Sequence, residues 1–394
     1  MQRVRLHVRY QWRNSGMPLI AKAHSAWDSA PWRRGPAVHS EIGGLSVLYA
    51  GLRDGLRYTL EFTEQRRQRT SDEKAVRRSF TIAPRSAQKL ALTTGADIII
   101  VGTNRRRARR LPVGSSLVIP LRVHFVVDCE VDADRALSRI SKGVRRDVRQ
   151  QSRKHDWHFS VEHDTAIFDY FYDRMYVPTM EARYGSMART EGKASAYECL
   201  YRSGVLFILS DAGEPVAGHL CHWDPKHRVL TSRLLGVLDG SEGQYAAGVV
   251  KVMYCLMIEW ATKNQVRQLD LQGTEPFLSK GTYQMKRRFG SRVVYPPNHF
   301  GDKRLWLQVL RDTEAVRDFL TANPVVVENH HGSLDIIYFF DRQRPPRLDL
   351  QSESPGIERV RRVDLDDFLS GTATPPHRQR LTRLSQRNRR RRSG

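Results

Sequence analysis

Residues 269–290 read LDLQGTEPFLSKGTYQMKRRFG. The reading predicts a strand that carries Asp270 and stops at Gly273, a loop at Gly281, and a basic, aromatic turn over Lys286, Phe289 and Gly290. Immediately upstream, residues 249–261 are almost wholly apolar, with Val252, Leu256, Ile258 and Trp260, which suits a buried helix leading into a strand at 265–271. Residues 229–238 supply a strand before the loop 239–248. The order is strand, loop, helix, strand.

Working outward, residues 205–210 and 215–223 alternate as a hairpin around Asp211, Ala212 and Gly213. A strand is expected at 157–161 and an aromatic helix at 167–184, interrupted by Pro178. Residues 132–154 form one expected helix with Leu137, Ile140, Val144 and Val148 on one face and Lys142, Arg145, Arg146, Arg149, Arg153 and Lys154 over the rest. Further upstream, strands are expected at 38–52, 57–62 and 97–101, and a long buried strand at 116–127. Residues 104–110 hold five arginines. Downstream, a helix is expected at 304–320 and a closing hairpin from 325–328 and 334–340. Beyond 345 the chain reads as disordered, ending in 375–394 with eight arginines and no acidic residue. The expected domains are 1–130, 131–345 and a tail at 346–394.

Composition fits a globular chain of 394 residues in about two domains. Sixty-five Lys and Arg against forty-two Asp and Glu give +23, a charge that attracts phosphate-bearing partners without sequence selectivity. Cys129, Cys199, Cys221 and Cys255 form no CxxC pair, so a reducing, cytoplasmic setting is expected, without disulfides. The first thirty residues lack the apolar run of a secretory signal, and no segment approaches the ~20 apolar residues of a membrane span. His330 and His331 beside Asn329 and Gly332 read as a turn, and no metal is expected.

Asp270, Gly273, Gly281, Lys286, Phe289 and Gly290, taken in order, resemble the FemAB-like branch of the bacterial GNAT acyltransferases. The basic helix around 141–154, Tyr176, Pro178, Arg183, Tyr184 and Gly185, and the hairpin residues Gly213, Pro215, Val216, Ala217 and Gly218 are similar to the same family. The resemblance covers residues 115–340. It implies an α/β fold with a GNAT-like mixed sheet flanked by helices, two GNAT-like domains, the N-terminal one degenerate, and a disordered basic tail.

An amine that attacks an activated acyl carbonyl needs orientation, a proton acceptor and stabilisation of the oxyanion. On the resemblance, Lys286 stabilises that oxyanion or a donor phosphate, and Asp270 deprotonates or orients the ammonium. A lysine solvated on a turn and a carboxylate capping the next loop are the competing readings. The loop Gln244, Tyr245, Ala246, Ala247 and Gly248 takes the place where GNAT enzymes cradle the pyrophosphate of acyl-CoA, although its glycine spacing departs from theirs. Arg145, Arg149, Tyr184, Arg233, Gly273, Tyr283 and Phe289 complete the expected substrate site. The implied reaction moves an acyl group, acetyl by default, from acyl-CoA to a primary amine on a small molecule or peptide. Two alternatives stand beside it: aminoacyl transfer from charged tRNA to a peptide or cell-wall precursor, and a non-catalytic scaffold that binds nucleic acid through its basic segments.

Overall fold

The computed structural model describes residues 2–371 apart from 29, 31, 32, 72, 84, 85, 186, 187 and 189. Its strands are β1 (Gly35–Ile42), β2 (Leu45–Gly51), β3 (Val76–Ile82), β4 (Ile98–Asn104), β5 (Ser116–Pro120), β6 (Val123–Asp128), β7 (Trp157–Glu162), β8 (Val205–Asp211), β9 (Glu214–Asp224), β10 (Val229–Val237), β11 (Gln268–Thr274), β12 (Arg292–Val294), β13 (Lys303–Val309), β14 (Val325–Glu328), β15 (Leu334–Phe340) and β16 (Ile357–Asp364). The chain divides into two compact units. One holds residues up to 14, 124–273 and 285–293, and the other holds 15–123, 274–284 and the residues from 294 onward.

The first unit is built on a seven-stranded sheet in the order β12-β6-β11-β10-β9-β8-β7. Strands β7 to β10 form an antiparallel meander, and β8 turns into β9 through Ala212 and Gly213, both at positive φ. That is why Asp211-Ala212-Gly213 ends the first strand of the hairpin. Strand β11 returns parallel to β10, as the apolar segment between them requires: helix Val249–Lys263 buries Val249, Val252, Met253, Tyr254, Met257, Ile258 and Ala261. Its opposite number is the helical stretch from Thr165 to Tyr184, whose Phe171 and Met175 pack at Gly218 of β9 and Gly236 of β10. A side chain at either glycine would collide with them. The N-terminal helix Gln2–Asn14 belongs to this unit, inserting Tyr10 into the same aromatic core and pairing Arg3 with Glu198 at 2.9 Å.

The second unit carries a six-stranded mixed sheet, β3-β1-β2-β4-β13-β5, and a three-stranded sheet, β14-β15-β16. Glu328 at the end of β14 is buried and receives Arg304, Arg105 at 2.8 Å and Arg109. Two of the five arginines at 104–110 are thereby committed to one buried carboxylate, whose charge burial demands such partners.

Several expected elements differ. Residues 304–320 are strand β13 followed by helix Glu314–Ala322, capped by Thr313. β13 pairs with β4 and β5 along its edges and is buried on both faces, so no alternation marks it. The long strand expected at 116–127 breaks after Pro120, which lacks the N–H to continue a ladder, and its halves join different sheets. Residues 132–154 form two helices, Ala133–Ser138 and Lys142–Ser152, because Ser141 starts a new one by accepting from the Val144 N–H. Residues 57–62 are helical. After 345, residues 357–364 form β16 parallel to β15, followed by helix Leu365–Leu369 with Phe368 buried. The arginine-rich 375–394 lies outside the described residues.

Gly236→Ala places a methyl group against the Met175 backbone, which cannot yield as a flexible side chain would. We expect a loss of about 1–3 kcal/mol in urea unfolding, whereas Gly143→Ala, with nothing near its Cβ, stays close to wild type.

Candidate active site

The parallel pairing of β10 with β11 covers only Val229–Thr231 against Gln268–Asp270. Beyond that point the two strands are no longer paired, although both continue for several residues. Asp270 is the last paired residue. One of its oxygens accepts from the Gln272 N–H at 2.7 Å, a local turn that suits Gln272's positive φ of 66°. The carbonyls beyond this turn need donors, since unpaired buried backbone is costly. Lys286 provides them: its ammonium bonds the Gln272 carbonyl at 3.2 Å and the Gly273 carbonyl at 3.3 Å.

Lys286 is held there by the rest of its motif. Phe289 is fully buried, its ring 5.1 Å from that of Tyr254 on the crossover helix. Gly290 adopts φ +68° with the Arg139 backbone pressed where a Cβ would stand, so only glycine fits. Lys286, only 8 % exposed, is therefore no solvated turn residue.

The second Asp270 oxygen meets Nδ1 of His124 on β6 at 2.9 Å, and both residues are buried. Burial alone would push the Asp270 carboxyl up. The charge and hydrogen bond of His124, the Gln272 N–H and the charge of Lys286 together hold it below the usual carboxylate range. Behind them, Nε2 of His219 on β9 lies 2.7 Å from the Ser232 hydroxyl, while its Nδ1 is buried without a partner. Burial, reinforced by the Lys286 charge, lowers His219 to about 3. Tyr254 stacks edge-on to His219 at 5.4 Å, and burial raises its hydroxyl to about 12.

The loop expected to cradle a pyrophosphate is folded on itself. Residues Glu242–Ala246 make a short helix capped by Ser241. Within it the Gln244 N–H bonds the Ser241 hydroxyl, and the N–H groups of Tyr245, Ala247 and Gly248 bond the carbonyls of Ser241, Gly243 and Tyr245. Ala246 ends this short helix, and Gly248 starts the crossover helix at φ +80°. These amides are already used.

The remaining expected residues scatter. Arg145 and Arg149, with Lys142, Arg146 and Arg153, line a groove of about 530 Å³ along one helix face. Arg233 sits at the irregularity of β10, over the Tyr10 ring and bonded to Asn14 at 2.9 Å. Tyr184 is 47 % exposed at a helix end. Tyr283 is fully buried. The structure thus gathers Asp270, Gly273, Lys286 and Phe289, and leaves Arg145, Arg149 and Arg233 engaged elsewhere.

Residues 138–287 match the family described as "Acetyltransferase (GNAT) domain". This segment holds β10, the crossover helix, β11 and Lys286, and its match is to an acyltransferase domain. The chain is similar in structure to L-PGS from Bacillus licheniformis, with 10% identity over 81% of this chain and 95% of that one at a TM-score of 0.37. It is similar to FemX, with 10% identity over 68% and 81% at 0.37, and to a GCN5-related N-acetyltransferase from Kribbella flavida, with 10% identity over 78% and 63% at 0.24. No curated protein matches the sequence. Among the described residues no helix is long and apolar enough to cross a membrane.

The sequence reading missed His124 and His219. The only signal was a histidine inside an apolar strand, which does not say what it meets. His219 also marks a pH dependence. Its folded value lies below the unfolded one of about 6.5, so the unfolded chain binds the extra proton and stability is lost as pH falls below that value. Urea unfolding should show a slope of up to ~1.4 kcal/mol per pH unit between about pH 6 and 4 that His219→Gln removes. Asp270, lowered, adds its own loss only below about pH 4.

Proposed function

We propose that the protein transfers an acyl group to a primary amine at the end of the β10–β11 pairing. The observation that carries this reading is the buried Asp270–His124 pair, 2.9 Å apart, beside the buried ammonium of Lys286. A carboxylate held this low is a weak proton acceptor, because basicity falls with pKa. Its better use is to fix the His124 tautomer: with Nδ1–H donated to Asp270, Nε2 carries the lone pair. His124 then takes the proton of the incoming ammonium and passes it to solvent, the amine nitrogen bonds the acyl carbon as it gives a second proton to His124, and the bond from that carbon to the donor's sulfur or oxygen breaks. The leaving group departs with a proton returned from His124. Lys286 sets a positive field where the carbonyl oxygen gains charge.

The donor has two readings, an acyl-CoA thioester and a charged tRNA. The internally bonded amides from Gln244 to Gly248 leave little for a pyrophosphate, and the five-cation groove suits a polyanion, which favours the tRNA ester. Thiol release from acyl-CoA with a panel of amines, run beside label transfer from aminoacyl-tRNA, separates them. Asp270→Asn, His124→Gln and Lys286→Ala should each lower kcat/KM by about 10²–10⁴-fold with the true donor. Wild-type rates in all three would exclude this site.

If tRNA is the donor, Arg145→Glu with Arg149→Glu should raise KM at least ~10-fold and flatten its salt dependence, with kcat nearly unchanged. An acyl-CoA enzyme would show no such change.

A further inference from the structure

In the second unit, helix Pro18–Asp28 places His24 and Asp28 at positions i and i+4, one above the other on a single face. His24 Nδ1 stands 3.5 Å from the Asp28 carboxylate. The short helix His299–Asp302 brings His299 against them, with the two imidazole rings 3.8 Å apart between centroids. One ligand atom from each of the three residues lies within 4.8 Å of the others. Two imidazole nitrogens and a carboxylate oxygen are the donor set that zinc and its neighbours in the first transition row accept. Zinc-bound atoms stand about 3.3 Å from one another at bond lengths of ~2.0–2.1 Å, so the ligand atoms close by up to about 1.5 Å while the two rings turn apart.

The surroundings suit an added cation. Asp54 and Asp302 join Asp28 nearby, against the ammonium of Lys303 and the part-exposed Arg33. Lys303 is fully buried and donates to Asp28 at 2.6 Å and to Asp54 at 2.9 Å, while Ser25 of the same helix holds Asp302 at 2.6 Å. These contacts orient the Asp28 carboxylate and the His299 turn as outer partners do around a metal. We propose that His24, Asp28 and His299 bind one divalent transition-metal ion, of the zinc class, which ties the N-terminal helix of this unit to the turn before β13. The fourth position falls to water. Sequence alone pointed to no metal, because His24 and His299 are too far apart in the chain for any spacing motif.

The test uses the full chain, stripped with a chelator. Titration with Co²⁺ should give the visible absorption of a four-coordinate ion, saturating at about one equivalent per chain, and Zn²⁺ should displace it. Zn²⁺ should also raise the Tm by ~4 °C or more, reversed by chelator. His24→Gln and His299→Gln should each abolish both signals, and His331→Gln should keep them. If His299→Gln does not fold, His24→Gln, exposed to the same titration, decides alone. Absence of both signals in the wild type, or their survival in His24→Gln, overturns the site.

Discussion

The point at which β10 and β11 stop pairing governs the first unit. Two parallel strands that separate leave backbone groups without partners, and those groups must find donors and acceptors elsewhere. Here the Asp270 side chain turns the backbone through Gln272, and Lys286 covers the exposed carbonyls of Gln272 and Gly273. A buried cation and a buried carboxylate are therefore present for a structural reason before any substrate arrives. Removing Lys286 takes a donor from two carbonyls, and protonating Asp270 weakens its contact with His124.

The same arrangement apportions the chemistry. The groups around Asp270 stabilise its ionised form, which suits an anchor more than a base. His219, by contrast, is driven neutral by burial and lies behind Lys286, where a second positive charge would be costly. The site thus keeps one cation, one anion and the neutral imidazole of His219 close together and buried, and the proposed reaction gives the proton exchange to His124.

Much of this was legible in the sequence where local rules suffice. The β8–β9 turn was marked by Asp211-Ala212-Gly213, the crossover helix by its unbroken apolar run, and the Lys286, Phe289, Gly290 series by residues whose reasons proved to be carbonyl contacts, a buried ring and a left-handed φ. What failed depended on distant partners. β13 carried no alternation because both its faces are buried, and β16 looked like tail because only β15 makes it a strand. His124 lies far from Asp270 in the chain, so nothing in its neighbourhood announced the pair. The arginines at 104–110 read as a free basic patch because Glu328 is equally remote. The glycines of the 243–248 loop suggested an anion cradle, but a Ser241 cap was enough to fold that loop into a helical turn.

The most direct test of the account is the titration of the Asp270 carboxyl, followed by its carbon chemical shift in selectively labelled protein, with and without Lys286→Met. The expected midpoint lies below the ordinary value of about 3.9 and rises when the Lys286 charge is removed. A midpoint at or above that value in the wild type, or one indifferent to the substitution, would contradict it.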